Sequence, residues 1–280
     1  MSLQADNAAL GPGLSEEHNY AESVQDYWNE TTHLYLQHGT TFQGGLVRTA
    51  DASSSPLVNN LYLASRAGIT AGNHVLDAGC GVCGPSIDIA RHIERVRIDA
   101  VTLCAAQARL ARDAVLRAGL SDRISVNACD YHRLPFQSER FDIVFFFESL
   151  YSVQLGQLLC EIHRVLRPGG RFYAKEVFRK ESPLSNAEHA AVNEFENLFC
   201  YKLRAMSDLA SIVGASGFDA VESCDLSPLM STAHIDRAMV DWVFGFPLPT
   251  EFGRRHQRQF NSVPLLFGEV RARKPATTRR

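Results

Sequence analysis

The sequence has no long apolar run: nowhere do about eighteen apolar residues follow one another, the length that a membrane-spanning helix needs. Its first residues also lack the basic stretch followed by an apolar one that marks a secretory signal. Low-complexity tracts and internal repeats are absent too. These absences predict a soluble, cytoplasmic, globular protein that does not contact a membrane.

The sequence also lacks a large excess of either positive or negative charge. The 280 residues include 28 Lys and Arg against 31 Asp and Glu, which gives a formal net charge of −3 at pH 7. A protein that follows a nucleic-acid backbone needs a basic surface, and this balance does not supply one. The composition therefore argues against a nucleic-acid partner.

The seven cysteines form no disulfide or zinc-binding pattern. Their number is odd, most lie inside apolar runs, and Cys80 and Cys83 lack the second pair that a structural zinc site requires. We interpret them as free, buried thiols in a reducing compartment, and we expect no metal centre.

What the sequence does contain is a glycine-rich turn after a short apolar run at 75–78. Glycines at 79, 81 and 84 let the backbone turn sharply and approach a ligand closely, and residues 85–92 have helical periodicity. Asp77 stands at the carboxyl end of the run, where open α/β sheets bind ligands. This arrangement predicts a small-molecule site that suits a cationic group better than a pyrophosphate.

A nicotinamide dinucleotide is disfavoured by the next strand. Proteins that bind it usually carry an acid about twenty residues beyond the glycines, where it binds the ribose hydroxyls. Here that strand ends in Thr102 and Leu103, and Asp99 lies at its other end. S-adenosylmethionine, which carries an ammonium and a sulfonium but no phosphate, fits Asp77 better.

Apolar strands and amphipathic helices alternate along the chain, which predicts an α/β fold with a doubly wound, mostly parallel sheet of seven strands. We predict strands at 75–78, 98–103, 124–129, 141–147, 171–177, 218–226 and 263–273. The expected helices are 15–37, 58–67, 85–92, 105–118, 155–166 and 185–214. The helix at 15–37 carries an aromatic stripe that packs on the domain, packs on a partner subunit, or closes the pocket as a lid.

Two further features predict a ligand at the sheet edge. Glu148 follows three phenylalanines at the end of the fourth strand, at the same edge as Asp77 and Asp130. An acid behind such a run is costly unless it is hydrogen-bonded, paired or functional, so we predict an active-site role, with a satisfied structural carboxylate as the alternative. Residues 38–45 are a polar, glycine-containing loop of the kind that folds over a ligand.

The chain resembles the class I S-adenosylmethionine-dependent methyltransferases over residues 27–209. The motifs that carry the resemblance are VLDAGCG at 75–81, VTLCAAQ at 101–107, CDYHRLPF at 129–136 and RVLRPGG at 164–170. The resemblance implies a Rossmann-like fold and S-adenosylmethionine as the cofactor. It also implies a set of cofactor-binding residues: Asp77, Gly79, Gly81, Thr102, Leu103, Gln107, Asp130, Tyr131 and Phe147.

The form of the second motif is similar to the cyclopropane-fatty-acid, sterol and terpenoid C-methyltransferases, which methylate carbon–carbon double bonds. The ESLY segment at 148–151 resembles the segment that enzymes such as geranyl diphosphate methyltransferase place beside the reacting alkene. This implies that Glu148 and Tyr151 are catalytic. At Gln43, however, relatives often carry His, and no Arg or Lys cluster suits a diphosphate. We therefore expect a neutral prenylated or terpenoid substrate, such as a prenylated indole of the teleocidin pathway.

Methylation of an alkene leaves a carbocation, which proton loss or ring closure then quenches, and aromatic faces stabilise such a cation. The rings that we expect around the substrate are Tyr20, Tyr27, Phe199, Tyr201 and Trp242. One alternative is O- or N-methylation with His33, His38 or His132 as the base, and another is a non-catalytic protein that only binds the nucleoside.

We expect five segments along the chain. Residues 1–14 form a disordered tail, residues 15–68 an N-terminal helical lid, and residues 69–180 the cofactor-binding core. Residues 181–274 form substrate-covering helices, a helical insert and the last two strands, and residues 275–280 form a polar tail. We expect a homo-oligomer to form through the N-terminal helix.

Overall fold

The computed structural model describes residues 12–48, 55–231 and 263–276. Its helices are α1 (Pro12–Tyr35), α2 (Pro56–Ala67), α3 (Gly84–His92), α4 (Ala105–Arg117), α5 (Leu155–Val165), α6 (Asn186–Phe199) and α7 (Met206–Ala215). Its strands are β1 (Leu46–Val47), β2 (His74–Ala78), β3 (Arg97–Thr102), β4 (Ile124–Ala128), β5 (Phe141–Phe147), β6 (Leu166–Arg179), β7 (Asp219–Asp225), β8 (Met230–Ser231) and β9 (Leu265–Arg273).

Seven of the strands form one sheet, in the order β4-β3-β2-β5-β6-β9-β7. The five neighbouring strands β4, β3, β2, β5 and β6 are parallel, and β9 runs antiparallel to both of its neighbours. The predicted doubly wound, mostly parallel sheet is therefore confirmed. The short antiparallel pair of β1 and β8, in which Leu46 faces Ser231, was not predicted from the sequence.

Both faces of the sheet are buried at its central strands β2, β3 and β5, as their continuous apolar runs require, whereas the edge strand β7 is largely exposed. Along β5, Phe145 and Phe147 face the cluster that includes α3 and α4, whereas Val144 and Phe146 face the cluster under α5 and α7. This alternation follows from the period of two in a strand. Helices on both faces complete the α/β layering.

The sheet has a topological switch point between β2 and β5. From β2 the chain proceeds outward through β3 to β4, and it then returns to β5 on the other side of β2. Connections that leave in opposite directions open a crevice at the carboxyl ends of the two strands. Asp77 lies on β2 and Glu148 directly follows β5, so the two acids meet at this crevice.

Two helix predictions need correction. Residues 185–214 do not form one helix, because Cys200 adopts φ 49° and ends α6, and α7 begins only at Met206. Helix α1 begins at Pro12, inside the expected tail, and proline is well suited to a first helical turn. Some predicted segments lie outside the described residues. These are residues 1–11, residues 277–280 and most of the expected insert before β9, including Trp242.

In the described part of the chain, no helix is long and apolar enough to cross a membrane. All seven cysteines are free, as expected, but only Cys80, Cys83 and Cys104 are buried. Cys160 is exposed and the other three are partly buried, so the expectation of buried thiols is wrong for these four. In the described ranges 12–48, 55–231 and 263–276, no group of three or more His, Cys, Asp or Glu is placed to hold a metal ion. The predicted homo-oligomer through α1 stays a prediction.

Candidate functional site

A cleft of about 900 Å³, which includes open solvent, lies at the switch point. The glycine turn, the ends of β3 and β5, α1 and the loop before β1 form its wall. All of the residues predicted to bind the cofactor border this cleft: Asp77, Gly79, Gly81, Thr102, Leu103, Gln107, Asp130, Tyr131 and Phe147. Glu148 and Tyr151 border it as well.

Asp77 presents a buried carboxylate to the cleft. Only 3 % of the residue is exposed, and Ser86 Oγ donates to its Oδ2 over 2.6 Å. Within the described residues, Oδ1 accepts no hydrogen bond. Burial raises the pKa of Asp77 to about 7, although the bond from Ser86 acts in the opposite direction. Such a carboxylate is ready to pair with a cation.

The glycine turn is fastened between two strands. The amides of Gly79 and Cys80 donate to Val101 O over 2.9 and 2.8 Å. Gly79 adopts φ 93°, and a Cβ there would come within 2.5 Å of the Ser149 side chain. Only glycine permits this close approach between the turn and the segment that follows β5.

Helix α1 closes the cleft at the end of β3. Gln25 Nε2 donates to Leu103 O over 3.2 Å. Thr102 Oγ1 donates to Gln107 Oε1 over 2.8 Å, and Gln107 Nε2 donates to Thr32 Oγ1 over 3.0 Å. The polar atoms at this end thus join α1 to α4 and the sheet.

Asp130 is held by the histidine two residues later. Its Oδ1 accepts from the His132 amide over 2.8 Å and is 2.7 Å from His132 Nδ1, while His132 Nε2 lies 3.0 Å from Ser152 Oγ. Burial alone would raise the pKa of Asp130, but the hydrogen bonds and charge of His132 outweigh burial and lower it. Both ring nitrogens of His132 are thus engaged, one by Asp130 and the other by Ser152.

Glu148 lies in a buried ion pair that the sequence did not predict. Its carboxylate pairs with Lys175 Nζ and accepts from the amides of Gly44, over 2.5 Å, and Gly45, over 3.4 Å. The Lys175 side chain is fully buried. The available signal was a lysine inside an apolar strand, which is rare without a partner. Glu148 therefore combines both readings of the sequence, since it borders the cleft and is a satisfied carboxylate.

Aromatic rings line one side of the cleft, beside the glycine turn. Trp28 stacks on Phe42 with 6.0 Å between ring centroids, and Tyr151 meets Trp28 edge-on at 6.2 Å. Tyr35 packs behind both, 5.2 Å from Trp28 and 5.3 Å from Phe42. Trp28 and Phe42 were not among the predicted site residues, although Trp28 belongs to the aromatic stripe of α1.

Four of the rings predicted to contact the substrate lie one layer behind this wall. Tyr20 on α1 donates from its hydroxyl to Cys200 O over 3.0 Å. The hydroxyls of Tyr27 and Tyr35 are 2.8 Å apart. These bonds fasten α1 to the loop after α6 and hold Tyr35 behind Trp28.

The other two rings support the wall from α6 and the segment after it. Phe199 packs on Phe195 with 4.5 Å between centroids. Tyr201 meets Tyr151 edge-on at 5.0 Å, and its hydroxyl donates to Glu176. None of these four described rings borders the cleft. The fifth, Trp242, lies outside the described residues.

Comparisons with known proteins agree with this geometry. Residues 76–174 match the methyltransferase domain family. The chain is 27% identical to methyltransferase GfsG of Streptomyces halstedii, over 78% of the chain and 81% of the relative. It is 32% identical to sterol 24-C-methyltransferase of Eremothecium gossypii, over 62% of the chain but only 48% of that longer relative.

Solved structures share the fold. The [4+2]-cyclase SpnF has a TM-score of 0.76 at 20% identity, covering 91% of this chain and 96% of the cyclase. Geranyl diphosphate C-methyltransferase from Streptomyces coelicolor has a TM-score of 0.71 at 19% identity, covering 91% of this chain and 97% of the enzyme. At these identities the likeness shows the fold alone.

The residues of the cleft fit S-adenosylmethionine. A buried carboxylate with one unpaired oxygen suits the ammonium of this cofactor, and the glycine turn leaves room for close approach. The matched domain family and its relatives are methyltransferases. The chain is therefore an S-adenosylmethionine-dependent methyltransferase with S-adenosylmethionine as its cofactor, and it is similar to the sterol C-methyltransferases.

Proposed function

We propose that this enzyme methylates an alkene carbon of a neutral prenylated or terpenoid small molecule. The observation that carries the proposal is the wall of aromatic rings beside the cofactor turn, formed by Trp28, Phe42, Phe147 and Tyr151. No Lys or Arg of the described chain borders the cleft. An apolar group fits such a wall, whereas a diphosphate would find no partner in this part of the chain.

We assign the cofactor contacts as the resemblance implies. The unpaired oxygen of Asp77 takes the ammonium, and the turn at Gly79 and Gly81 lies against the methionine portion. The ribose and adenine are bordered by Thr102, Leu103, Gln107, Asp130, Tyr131 and Phe147. The position of all these residues around one cleft supports the assignment.

When bound, S-adenosylmethionine supplies an electrophilic methyl group. An alkene is a weak nucleophile, so the protein must hold it in line and exclude water, a contribution on the order of 7 kcal/mol or more. The alkene electron pair forms the new carbon–carbon bond, and the pair of the broken bond stays on sulfur. The ring faces then stabilise the substrate cation by roughly 2 kcal/mol each where it is desolvated.

Glu148 adds a fixed negative charge close to this cation. Lys175 and the amides of Gly44 and Gly45 occupy its carboxylate, which supports electrostatic stabilisation over acceptance of the departing proton. The hydroxyl of Tyr151 makes no hydrogen bond with the described residues. Burial, followed by the charges of nearby phenols and carboxylates, holds its pKa well above the usual value, so it stays a neutral donor for a polar group of the substrate.

O- or N-methylation is the weaker candidate. It needs a base beside a hydroxyl or an amine, and both ring nitrogens of His132 are engaged. His33 is exposed and does not border the cleft.

Incubation with trideuteromethyl-labelled S-adenosylmethionine tests the proposal. The acceptor panel is a prenylated indole, a terpenoid alcohol and geranyl diphosphate, analysed by mass spectrometry and NMR. We expect the label on a former alkene carbon of a neutral acceptor. Label on oxygen or nitrogen, or turnover of the diphosphate alone, would contradict the proposal.

A further inference from the structure

The loop at residues 39–45, here the cover loop, crosses the cofactor turn. A methyl group on Gly84 would come within 2.1 Å of Thr40 O, so the loop rests directly on the start of α3. The Phe42 ring lies 3.7 Å from the position that a Cβ of Gly81 would take. The cover loop therefore closes the side of the cleft that would otherwise expose the turn.

Buried amides fasten the first half of the cover loop. Asn59 Nδ2 donates to Gln43 Oε1 over 3.1 Å, and Asn60 Nδ2 donates to Thr41 Oγ1 over 3.0 Å. Asn59 and Asn60 lie on α2 and are fully buried. This half is held by neutral hydrogen bonds.

An ion pair fastens the second half. Gly44 and Gly45 donate their amides to the carboxylate of Glu148, and Lys175 Nζ donates to Gly45 O over 3.0 Å while it pairs with the same carboxylate. The amides of Gly44 and Gly45 thus bind the negative member of the ion pair, and the carbonyl oxygen of Gly45 binds the positive member.

Lys175 does not border the cleft. Its ammonium is surrounded by Glu148, Gly45 O and the ring of Phe267, whose centroid is 5.1 Å away. A fully buried ammonium is tolerated only with such partners. Its influence on the reaction must therefore pass through Glu148 and the loop.

We propose that Lys175 is a positioning residue: with Glu148 it holds the cover loop closed over the cofactor turn. The carboxylate of Glu148 thus fixes the loop as well as bordering the cleft. This proposal does not depend on the identity of the methyl acceptor.

The test is hydrogen–deuterium exchange of the full chain, with cofactor affinity from calorimetry and no acceptor present. In Lys175→Met we expect amide exchange in residues 39–47 to rise at least tenfold, and S-adenosylmethionine affinity to fall about tenfold, while β3 keeps its protection. Lys180→Met is the matched control, because it removes the ion pair with Glu188 at a half-exposed site away from the loop. It should change neither quantity.

The double variant Glu148→Gln/Lys175→Met separates positioning from general support. A glutamine oxygen still accepts from Gly44 and leaves no buried charge, so we expect loop protection and affinity to recover to within about threefold of wild type. Unchanged exchange in Lys175→Met, or a uniform rise across all segments, would overturn the proposal. If Lys175→Met does not fold, Glu148→Asp decides, because the shorter side chain keeps the charge of the pair but withdraws it from the amides of Gly44 and Gly45: loop exchange equal to that of wild type would overturn the proposal. A failed acceptor assay would touch only the proposed function, because these measurements contain no acceptor.

Discussion

Asp77 is the residue that we propose for the ammonium of the cofactor. Among the described residues its carboxylate has one hydrogen-bond partner, Ser86, and burial raises its pKa to about 7. Below that pH the group is protonated and cannot pair with an ammonium. The cofactor must therefore release a proton from the site when it binds in acid.

We expect S-adenosylmethionine affinity to fall as the pH drops below about 7, by up to about tenfold per pH unit. In Asp77→Asn the affinity should be weak throughout, and this dependence should vanish, because the amide does not titrate. Calorimetry between pH 5.5 and 8 measures both. If the cofactor affinities of wild type and variant depended on pH in the same way, Asp77 would not be the residue that binds the ammonium.

Tyr151→Phe tests the unpartnered hydroxyl. The ring and its edge-on contacts with Trp28 and Tyr201 remain, so the wall is kept. We expect kcat/KM for the acceptor to fall about tenfold, which corresponds to the loss of one hydrogen bond, while the cofactor affinity stays unchanged. Steady-state kinetics with each substrate varied separates the two. A normal rate would mean that the hydroxyl does not meet the acceptor.

The charge of Glu148 is best tested in Glu148→Gln/Lys175→Met, where the loop is expected to stay closed. If the negative charge stabilises the cation, turnover should fall roughly 100-fold while cofactor affinity stays near that of wild type. Single-turnover rates at saturating cofactor measure this. Retention of full rate would show that the charge serves only the loop.

At the scale of the element, α1 decides which rings reach the cleft. Ala21, Val24, Gln25 and Trp28 recur at helical spacing and border it. Tyr27 lies one position before Trp28, on the adjoining face, and bonds to Tyr35 instead. One residue, about 100° of rotation around the helix axis, thus separates a wall residue from a supporting one.

Trp28→Ala should remove a cation-stabilising ring and open the wall, lowering turnover per KM of the acceptor at least 100-fold. Tyr27→Phe is the matched control, because it keeps the ring and loses only the hydroxyl contact; we expect a change within threefold. Both rates come from the labelled-methyl assay. Equal losses in the two variants would contradict the assignment of faces.

Most strands of the seven-stranded sheet were predictable from apolar runs, and β5 was located to the residue, whereas the two-residue strands β1 and β8 carry no such signal. The residues predicted to bind the cofactor border one cleft, because the ends of parallel strands meet at one edge of a sheet, and their contacts with the cofactor stay a prediction. The helical phase of α1 was not predictable, since its aromatic stripe covers two adjoining faces. Lys175 was also missed, because nothing local to β6 shows that Glu148 lies beside it. Such pairs depend on the register between strands, which a single sequence does not report.

The stability of the whole molecule should depend on the pH through Glu176. Burial is the largest cause that raises its pKa to about 8; the bond from Tyr201 lowers it and the charge of Glu148 raises it. A raised pKa contributes stability that is full below the unfolded value and is lost as the pH rises through the folded value.

We therefore expect Glu176 to reduce the free energy of unfolding by at most about 1.4 kcal/mol per pH unit as the pH rises toward about 8. Glu176→Gln should make the cofactor-free protein less sensitive to pH over this range, because the amide still accepts from Ser149 and Leu150 without ionising. Urea unfolding at pH 6 and pH 9 measures the difference. Identical sensitivity in both proteins would contradict the shift.

The position of β9 bears on how the chain is made. This strand lies between β6 and β7, and β7 joins the sheet through it alone. On the ribosome, β6 and β7 are synthesised well before Leu265–Arg273 emerges, so both carry open edges that invite pairing with other chains. The edge of β6 and the inner edge of β7 are therefore paired only when β9 inserts, long after the cofactor turn has been synthesised.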